Sequence, residues 1–249
     1  MSIVLKEIHK AFGSKKVLKG FSLEVHPGET LAIVGQSGTG KSVALKHVVG
    51  LLKPDRGEVW VDGLNVGAMG LEELYEVRRN VGYVFQFAAL FDSLTIGENL
   101  GMGLRRVPGT TDDSVARRVK ECLALVELEG YEDRYPAQLS GGQKKRAGLA
   151  RAIATQPDYL LYDEPTTGLD PVTTTVIDRL IIRTREELNV TSVLITHDMD
   201  SAYRVADRIG MLYDGVIRFM GTPEEIQACT DPVVKGFIEG EPELLEGAG

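Results

Sequence analysis

The stretch Thr30-Leu-Ala-Ile-Val-Gly35-Gln36-Ser37-Gly38-Thr39-Gly40-Lys41-Ser42 decides the fold of this chain. Its apolar start, Thr30 to Val34, predicts a buried strand, and the apolar periodicity from about Lys41 to Leu52 predicts a helix. The residues between them match the phosphate-loop pattern G-x-x-x-x-G-K-[ST]. Backbone N–H groups of such a loop, together with the helix N-terminus, bind a polyphosphate. We therefore expect Lys41 to reach the β- and γ-phosphates and the Ser42 hydroxyl to ligate Mg²⁺.

A second anion-binding element lies downstream, in Leu139-Ser140-Gly141-Gly142-Gln143. Ser140 is a typical helix cap, and the helix-forming run from Gln143 to Ile153 follows it. A helix start with exposed N–H groups attracts anions. Since one loop holds one nucleotide, this element would bind either another ligand or the nucleotide of a partner chain.

The two motifs, in this order, resemble the ATP-binding cassette (ABC) ATPases, whose signature is L-S-G-G-Q. The resemblance covers nearly the whole chain. It implies an α/β fold, a P-loop NTPase core of the ABC type with an N-terminal antiparallel β subdomain and an inserted α-helical subdomain. It also implies ATP and Mg²⁺ as cofactors, and a homodimer that sandwiches two ATP molecules between the phosphate loop of one subunit and the signature of the other. The alternation of strands and helices after Ser42 independently favours a parallel α/β core.

Two carboxylates follow the apolar run Tyr159-Leu-Leu-Tyr162. A buried parallel strand delivers such residues at its carboxyl end. The resemblance implies that Asp163 holds Mg²⁺ through water and that Glu164 is the general base for the attacking water. Taken alone, the pair could also be an ordinary solvated acidic pair.

Three further positions have roles implied by the resemblance. Gln86, after the predicted strand Val81 to Phe85, resembles the Q-loop glutamine that ligates Mg²⁺ and senses the γ-phosphate. His197, after an apolar strand, resembles the switch histidine that contacts the γ-phosphate, although a lone histidine is more often structural. Asp170, in Gly168-Leu169-Asp170, resembles the D-loop residue that lines the dimer seam.

Phe12 lies where these ATPases have an aromatic residue that stacks on adenine. Tyrosine is commoner there, but stacking needs only the π-face of the ring. The alternative is a phenylalanine of the core.

Composition agrees with an enzyme of this kind. The chain has 249 residues, 43% of them hydrophobic, and a formal net charge of −8. That charge argues against a nucleic-acid partner, because a surface that binds nucleic acid needs clustered Lys and Arg. No apolar run approaches about 18 residues and no signal peptide is apparent. We expect a cytoplasmic protein, peripheral on the inner membrane through a permease.

We interpret the chain as one ABC ATPase domain with three parts. Residues 1–87 and 158–230 would form the catalytic core, 88–157 the helical subdomain with the signature, and 231–249 an acidic tail that frays unless a partner holds it. The basic cluster Lys144-Lys145-Arg146 is interpreted as the solvated face of the signature helix. Cys122 and Cys229 fit no metal-ligand spacing and are expected to be buried small hydrophobes.

The segment after Gln86 carries information on the subfamily. It reads Phe87-Ala-Ala-Leu-Phe-Asp-Ser-Leu-Thr-Ile-Gly-Glu-Asn99 and resembles the ATPases of MCE-type lipid transporters, such as the Mla phospholipid system. The segments from Gly38 to Val43 and from Asp231 to Gly240 point the same way. Phe87 and Ala88 depart from the expected smaller pair ending in glycine. The resemblance implies a permease that contacts this loop, an MCE protein and an accessory subunit; alternatively, the loop packs into the core of the helical insertion.

Three other functions remain open at this stage. The chain could energise an importer of amino acids, metals or other small solutes. A soluble ABC ATPase of DNA repair or translation usually has a long coiled-coil insertion or two fused cassettes, and this chain has neither. A silent regulatory cassette would lack the glutamate after Asp163 or the switch histidine, and this chain has both.

Overall fold

The computed structural model describes residues 2–241 and residue 243. It divides into two compact units, Met1–Arg78 with Thr191–Gly249 as the first and Arg79–Val190 as the second. The division by function expected from the sequence, with core segments 1–87 and 158–230, cuts across these units and stays a prediction.

The strands are β1 Ile3–Phe12, β2 Lys15–Val25, β3 Thr30–Val34, β4 Arg56–Val61, β5 Leu64–Asn65, β6 Val81–Val84, β7 Tyr159–Asp163, β8 Thr191–Ile195, β9 Arg208–Tyr213 and β10 Val216–Gly221. The helices are α1 Lys41–Val48, α2 Leu71–Arg79, α3 Ile96–Leu104, α4 Asp112–Leu125, α5 Gly141–Ile153, α6 Pro171–Leu188, α7 Met199–Val205, α8 Pro223–Gln227 and α9 Pro232–Glu239.

Two sheets build the first unit. The antiparallel sheet has the order β2-β1-β4-β5 and confirms the N-terminal β subdomain. In the other sheet β3 pairs in parallel with both β8 and β9, and β10 pairs antiparallel with β9. All five residues of β3 are buried, as expected of an inner strand of a parallel sheet with both faces covered. The strand expected over Thr30 to Val34 is therefore confirmed.

The second unit combines the parallel pair β6 and β7 with the helices α3 to α6. Reciprocal capping boxes start α3, α4 and α5, because a Thr or Ser cap and the third helical residue each satisfy the other's backbone N–H. The apolar faces of α3 and α4 bury side chains such as Leu100, Val119 and Leu123. The helical insertion expected between Gln86 and Pro157 is confirmed.

Two local expectations differ from the structure. Helix α1 ends at Val48 rather than near Leu52, because Gly50 adopts a φ of 62° and its N–H turns back to the carbonyl of His47. The start of the expected tail is helical, because Pro232–Glu239 form α9 and the Asp231 carboxylate caps its N-terminus. The rest of the predicted tail, residue 242 and residues 244–249, lies outside the described residues.

The cysteines differ from each other. Cys122 is buried, and burial raises the pKa of its thiol to about 11. Cys229 is only partly buried, so the expectation of a buried small hydrophobe is wrong there.

Within the described part of the chain, no helix is both long and apolar enough to span a bilayer.

Candidate functional site

The phosphate loop connects β3 to α1 through three glycines with positive φ. Gly35, Gly38 and Gly40 have φ values of 144°, 78° and 107°, which L-residues with a Cβ rarely adopt. At Gly40 a Cβ would also lie 2.6 Å from Cγ1 of Val17, so the backbone approaches β2 too closely for any side chain. The glycines of the motif are therefore required by geometry.

The ammonium group of Lys41 lies inside this loop. Its Nζ donates hydrogen bonds to the carbonyl oxygens of Gly35 at 2.7 Å and Gln36 at 2.8 Å, and the residue is only 4% exposed. No described side chain caps the start of α1, where Gly40 is the N-cap. A cation within the loop and uncapped N–H groups at a helix start are the arrangement that binds phosphate.

His197 leaves the sheet at the same edge as the phosphate loop. Strands β3 and β8 run in parallel register with Ile33 opposite Ile195, and the N–H of Thr196 donates to the carbonyl of Ile33 at 3.3 Å. Two residues beyond these partners come Gly35 and His197, and His197 is exposed. The first unit thus presents a histidine beside its phosphate loop.

Phe12 ends β1 with 48% of its surface exposed. The alternative that it is a core phenylalanine is wrong. The Nζ of Lys10 lies 5.7 Å from the ring centroid, close enough for a cation–π contact. Stacking of this ring on adenine stays a prediction.

In the second unit, parallel pairing brings Gln86 and the two carboxylates to one edge. Val84 of β6 is opposite Tyr162 of β7, and Gln86 and Glu164 each follow two residues later. Asp163 is 8% exposed, so it is not an ordinary solvated carboxylate. The hydroxyl of Tyr83 donates to its Oδ2 at 3.0 Å. Burial, and then the charge of this carboxylate, raise the pKa of Tyr83, which keeps the phenol a donor.

Glu164 has an unusual backbone conformation. Its φ is 48°, a left-handed value that costs an L-residue about 1 to 2 kcal/mol. The hydroxyl of Thr167 donates to its Oε2 at 2.7 Å. Strain of this kind persists only where the surroundings hold it, and it clusters at functional positions.

Lys145 is the residue that sequence reasoning missed. It is 9% exposed, and its Nζ donates to the carbonyl oxygen of Gln86 and lies 3.5 Å from that of Glu164. Burial lowers the pKa of Lys145, while the charge of Glu164 acts to raise it. The interpretation of the basic cluster as a solvated face is therefore wrong for this residue. For Arg146 the interpretation holds only in part, because its side chain is 19% exposed and donates to the carbonyl of Glu127 at 3.0 Å.

A signal for Lys145 was present in the sequence. On a helix, residues four and seven positions further share a face, and here they are Leu149 and Ala152. Both are buried apolar side chains. Three consecutive basic residues span more than half of a helix circumference, so one of them had to turn toward this face.

The signature and the D-loop meet in one groove of about 500 Å³. Ser140 accepts the N–H of Gln143 at 3.3 Å, and the Gln143 side chain accepts the N–H of Ser140 at 2.9 Å. A Cβ at Gly142 would lie 2.6 Å from Cγ2 of Thr173, so any side chain there would displace the side chain of Thr173. Asp170 caps α6 and accepts the N–H groups of Val172 and Thr173, each at 3.0 Å. The groove is therefore lined by the start of α5, whose first turn has no acidic residue, and by Asp170, the residue predicted to lie at the dimer seam.

The loop after Gln86 is held by two side chains from neighbouring helices. Asn99 of α3 is fully buried, accepts the N–H of Phe91 at 2.8 Å and donates to the carbonyl oxygens of Phe91, Leu94 and Thr95. Arg151 of α5 donates to the carbonyl oxygens of Ala88 and Ala89.

This fixed loop leaves two aromatic rings in solvent. Phe87 is 85% exposed and Phe91 is 52% exposed, whereas Ala88 is buried. The alternative that the loop packs into the helical core holds for Ala88 and is wrong for the two phenylalanines. Ala88 has a φ of 58°, which explains why glycine was the expected residue at this position.

The side chains implied as Mg²⁺ ligands are the Ser42 hydroxyl, the Gln86 amide and the Asp163 carboxylate. All three offer oxygen, the donor that Mg²⁺ prefers, and one carboxylate together with substrate phosphates is a common Mg²⁺ site. Among residues 2–241 and 243, no group of three His, Cys, Asp or Glu could hold a metal ion. The chemistry of the three oxygen donors is compatible with Mg²⁺, and their role as its ligands stays a prediction.

Comparison with known protein families gives one match, over residues 18–167, to the family described as ABC transporter. The chain is 38% identical over 240 residues to the probable ribonucleotide transport ATP-binding protein mkl of Mycobacterium leprae, covering 96% of this chain and 69% of that protein. It is 40% identical over 255 residues to the chloroplastic protein TRIGALACTOSYLDIACYLGLYCEROL 3 of Arabidopsis thaliana, covering 96% of this chain and 73% of the relative.

Solved structures agree with the fold. The ATP-binding cassette MJ0796, solved as a dimer in a post-hydrolysis state with ADP and Pi, superposes with a TM-score of 0.82 at 35% identity. The superposition covers 89% of this chain and 98% of that one.

Proposed function

Because this chain belongs to the ABC transporter family, we propose that it is the ATPase subunit that drives phospholipid transport with a separate permease and an MCE protein. Family membership itself makes the chain the ATP-binding motor subunit of an ABC transporter and an ATPase. The proposal adds the transported substance, the partners and the roles of individual residues.

In the proposed chemistry, Lys41 and the phosphate loop bind the β- and γ-phosphates of ATP. Ser42, Gln86 and Asp163 would hold Mg²⁺, which when bound would neutralise charge on the phosphates. Glu164 takes the proton of the water that attacks the γ-phosphorus, while the bond from that phosphorus to the ADP oxygen breaks. ADP and phosphate are the products.

Other residues would bind and sense the nucleotide. Phe12 would stack on adenine, and His197 would contact the γ-phosphate. Ser140, Gly141, Gly142 and Gln143 would face the γ-phosphate held by a second copy of the chain, with Asp170 at the seam. The open groove between the signature and the D-loop supports this proposal, as does the dimeric state of the superposed cassette.

The observation that carries the assignment of a membrane partner is the loop from Phe87 to Thr95. A loop of a water-exposed domain that is fixed by Asn99 and Arg151, and yet keeps Phe87 and Phe91 in solvent, has the character of an interaction surface. We infer that a short segment of the permease covers these rings. The chain would then lie at the cytoplasmic face of the inner membrane, attached through its permease, with an accessory subunit possible in the same complex.

Two observations support a lipid as the transported substance: the residues of this loop resemble those of MCE-type transporters, and the name of the Arabidopsis relative contains a diacylglycerol lipid. The lipid in that name is a galactolipid, so the choice of a phospholipid rests on the resemblance of the loop alone. The mycobacterial relative is named for ribonucleotide transport, and this favours a second candidate, import of a polar solute with the same ATPase chemistry.

Purification of the tagged chain from its native membrane tests the proposal. Mass spectrometry of the copurified proteins and lipids should recover a permease, an MCE protein and phospholipid. Recovery of a permease with a solute-binding protein in place of the MCE protein would support the second candidate instead. Reconstitution of the recovered complex in vesicles should then show phospholipid movement that requires ATP.

A further inference from the structure

One buried ammonium connects three of the motifs described above. Lys145 belongs to α5, the helix that the signature starts. Its Nζ donates to the carbonyl oxygen of Gln86, which follows β6, and lies 3.5 Å from the carbonyl oxygen of Glu164, which follows β7. The two carbonyls come from segments 78 positions apart in sequence. A single side chain thus bridges the two backbone segments that follow these paired strands.

We propose that Lys145 is a positioning residue for ATP hydrolysis: it sets the backbone of Gln86 and of Glu164 so that the amide and the carboxylate reach their working positions. This inference rests on the roles proposed above for Gln86 and Glu164. In this proposal Lys145 acts through the two residues whose backbone carbonyls it contacts.

The conformation of Glu164 shows why a donor is needed there. With a φ of 48°, this residue is strained, and the strain persists only if neighbouring groups hold the backbone. The N–H of Thr167 lies 3.3 Å from the same carbonyl oxygen, and Lys145 adds a charged donor to it. Without the ammonium, we expect the carbonyl of Glu164 to shift and its carboxylate to move with it.

The position of α5 against Gln86 is also closely fixed. At Gly148, three residues after Lys145, a Cβ would lie 3.1 Å from the Cα of Ala88. The helix therefore packs directly on the backbone that follows Gln86. This close packing leaves Lys145 little freedom to donate elsewhere, so its two acceptors are determined by the fold.

The test compares ATP hydrolysis and ATP binding in the isolated subunit. Lys145→Met removes the donors and keeps an unbranched apolar stem. We expect kcat to fall about 10- to 100-fold, as misplacement of reacting groups by about 1 Å does, while the Kd for ATP, measured by fluorescence titration, changes less than about threefold. Lys145→Arg restores charged donors and should recover most of kcat. Lys144→Met removes the same charge from the adjacent, less buried position and should behave like the parent.

A merely structural role would appear differently. Lys145→Met would then have a lower Tm than the parent. Assayed well below that Tm, it would keep kcat within about threefold of the parent, and this result would overturn the proposal. If Lys145→Met does not fold, the proposal is tested by comparing the kcat of Lys145→Arg with that of Lys145→Gln. The shorter glutamine cannot reach both carbonyls, so equal kcat in these two variants overturns the proposal.

The same assay separates this proposal from the roles on which it rests. If Glu164→Gln keeps normal turnover, the general base was wrongly assigned, whatever Lys145→Met does. If Glu164→Gln is inactive and Lys145→Met is fully active, the base stands and the positioning role is overturned.

Discussion

The hydroxyl of Tyr83 donates a 3.0 Å hydrogen bond to Oδ2 of Asp163, linking β6 to the carboxylate that ends β7. If Asp163 holds Mg²⁺, Tyr83→Phe removes the group that orients this carboxylate. Loss of such an outer partner costs about 10- to 100-fold in metal affinity or activity. We expect the Mg²⁺ concentration for half-maximal ATPase activity to rise about tenfold, measured at saturating ATP.

Tyr75→Phe is the matched control for this prediction. It removes the same hydroxyl from an exposed tyrosine on α2. Its Mg²⁺ dependence should overlay that of the parent. An unchanged Mg²⁺ dependence in Tyr83→Phe would show that the bond serves folding alone.

A site shared between two copies predicts complementation of two different defects. Ser140→Arg would block the signature groove, and Lys41→Ala would damage the phosphate loop. A mixed dimer keeps one site built from two intact halves, so the mixture should hydrolyse ATP faster than either variant alone. The measurement is the ATPase rate against mixing ratio, with subunit exchange verified by labelled chains. A mixture no faster than its parents, despite exchange, would contradict independent shared sites.

The partner surface predicts a selective defect in Phe91→Ala. The ring is half exposed while Asn99 holds the backbone beneath it, so the variant should fold and keep its basal ATPase activity. If the permease buries this ring in the complex, its removal should cost about 2 kcal/mol or more of the free energy of association. Pull-down of the copurified permease and lipid transport in vesicles should therefore fall together.

Tyr75→Ala controls for removal of an exposed aromatic ring elsewhere, since Tyr75 is 57% exposed. It should bind the permease as the parent does. Normal permease binding by Phe91→Ala would place the partner on another surface.

His47 predicts a loss of stability in mild acid. It is buried in α1, and burial lowers its pKa from the usual value of 6.5. Below pH 6.5 the unfolded chain binds a proton that the folded chain resists. The free energy of unfolding therefore falls as the pH drops from about 7 toward the folded pKa, by at most about 1.4 kcal/mol per pH unit.

Urea unfolding at a series of pH values measures this slope. His47→Asn preserves a donor toward the carbonyl of Val43, which Nδ1 of His47 contacts at 2.7 Å, and should flatten the slope. The exposed His26 provides the control, because His26→Asn should leave the slope unchanged. Parallel slopes in parent and His47→Asn would assign the acid sensitivity to other groups.

Local patterns were enough to predict the strand and the phosphate loop from Thr30 to Ser42, since strand, glycines and helix follow one another in sequence. An Asp-Gly pair is likewise a local signal for a two-residue hairpin turn, and Asp214 and Gly215 both adopt positive φ between β9 and β10. The carboxylate at Asp163 needed only the rule that parallel strands deliver residues at their carboxyl ends.

The rest depended on contacts between residues far apart in sequence. The helix face of Lys145 could be predicted from local spacing, but its acceptors could not, because Gln86 and Glu164 lie 59 and 19 positions away. The exposure of Phe91 depends on Asn99, which fixes the loop backbone from a neighbouring helix. The positive φ of Glu164 left no trace in its residue type, since glutamate is not a residue that favours this conformation.

The ATPase rate of Glu164→Gln tests the central claim most directly. Glutamine keeps the size of the side chain but cannot accept the proton of the attacking water. ATP binding, measured by titration, should persist, because Lys41, Ser42 and Asp163 still bind the nucleotide and Mg²⁺. Turnover should fall at least about 100-fold, because the proton acceptor is missing. Turnover close to that of the parent would contradict the role of Glu164 and, with it, the proposed mechanism of this motor subunit.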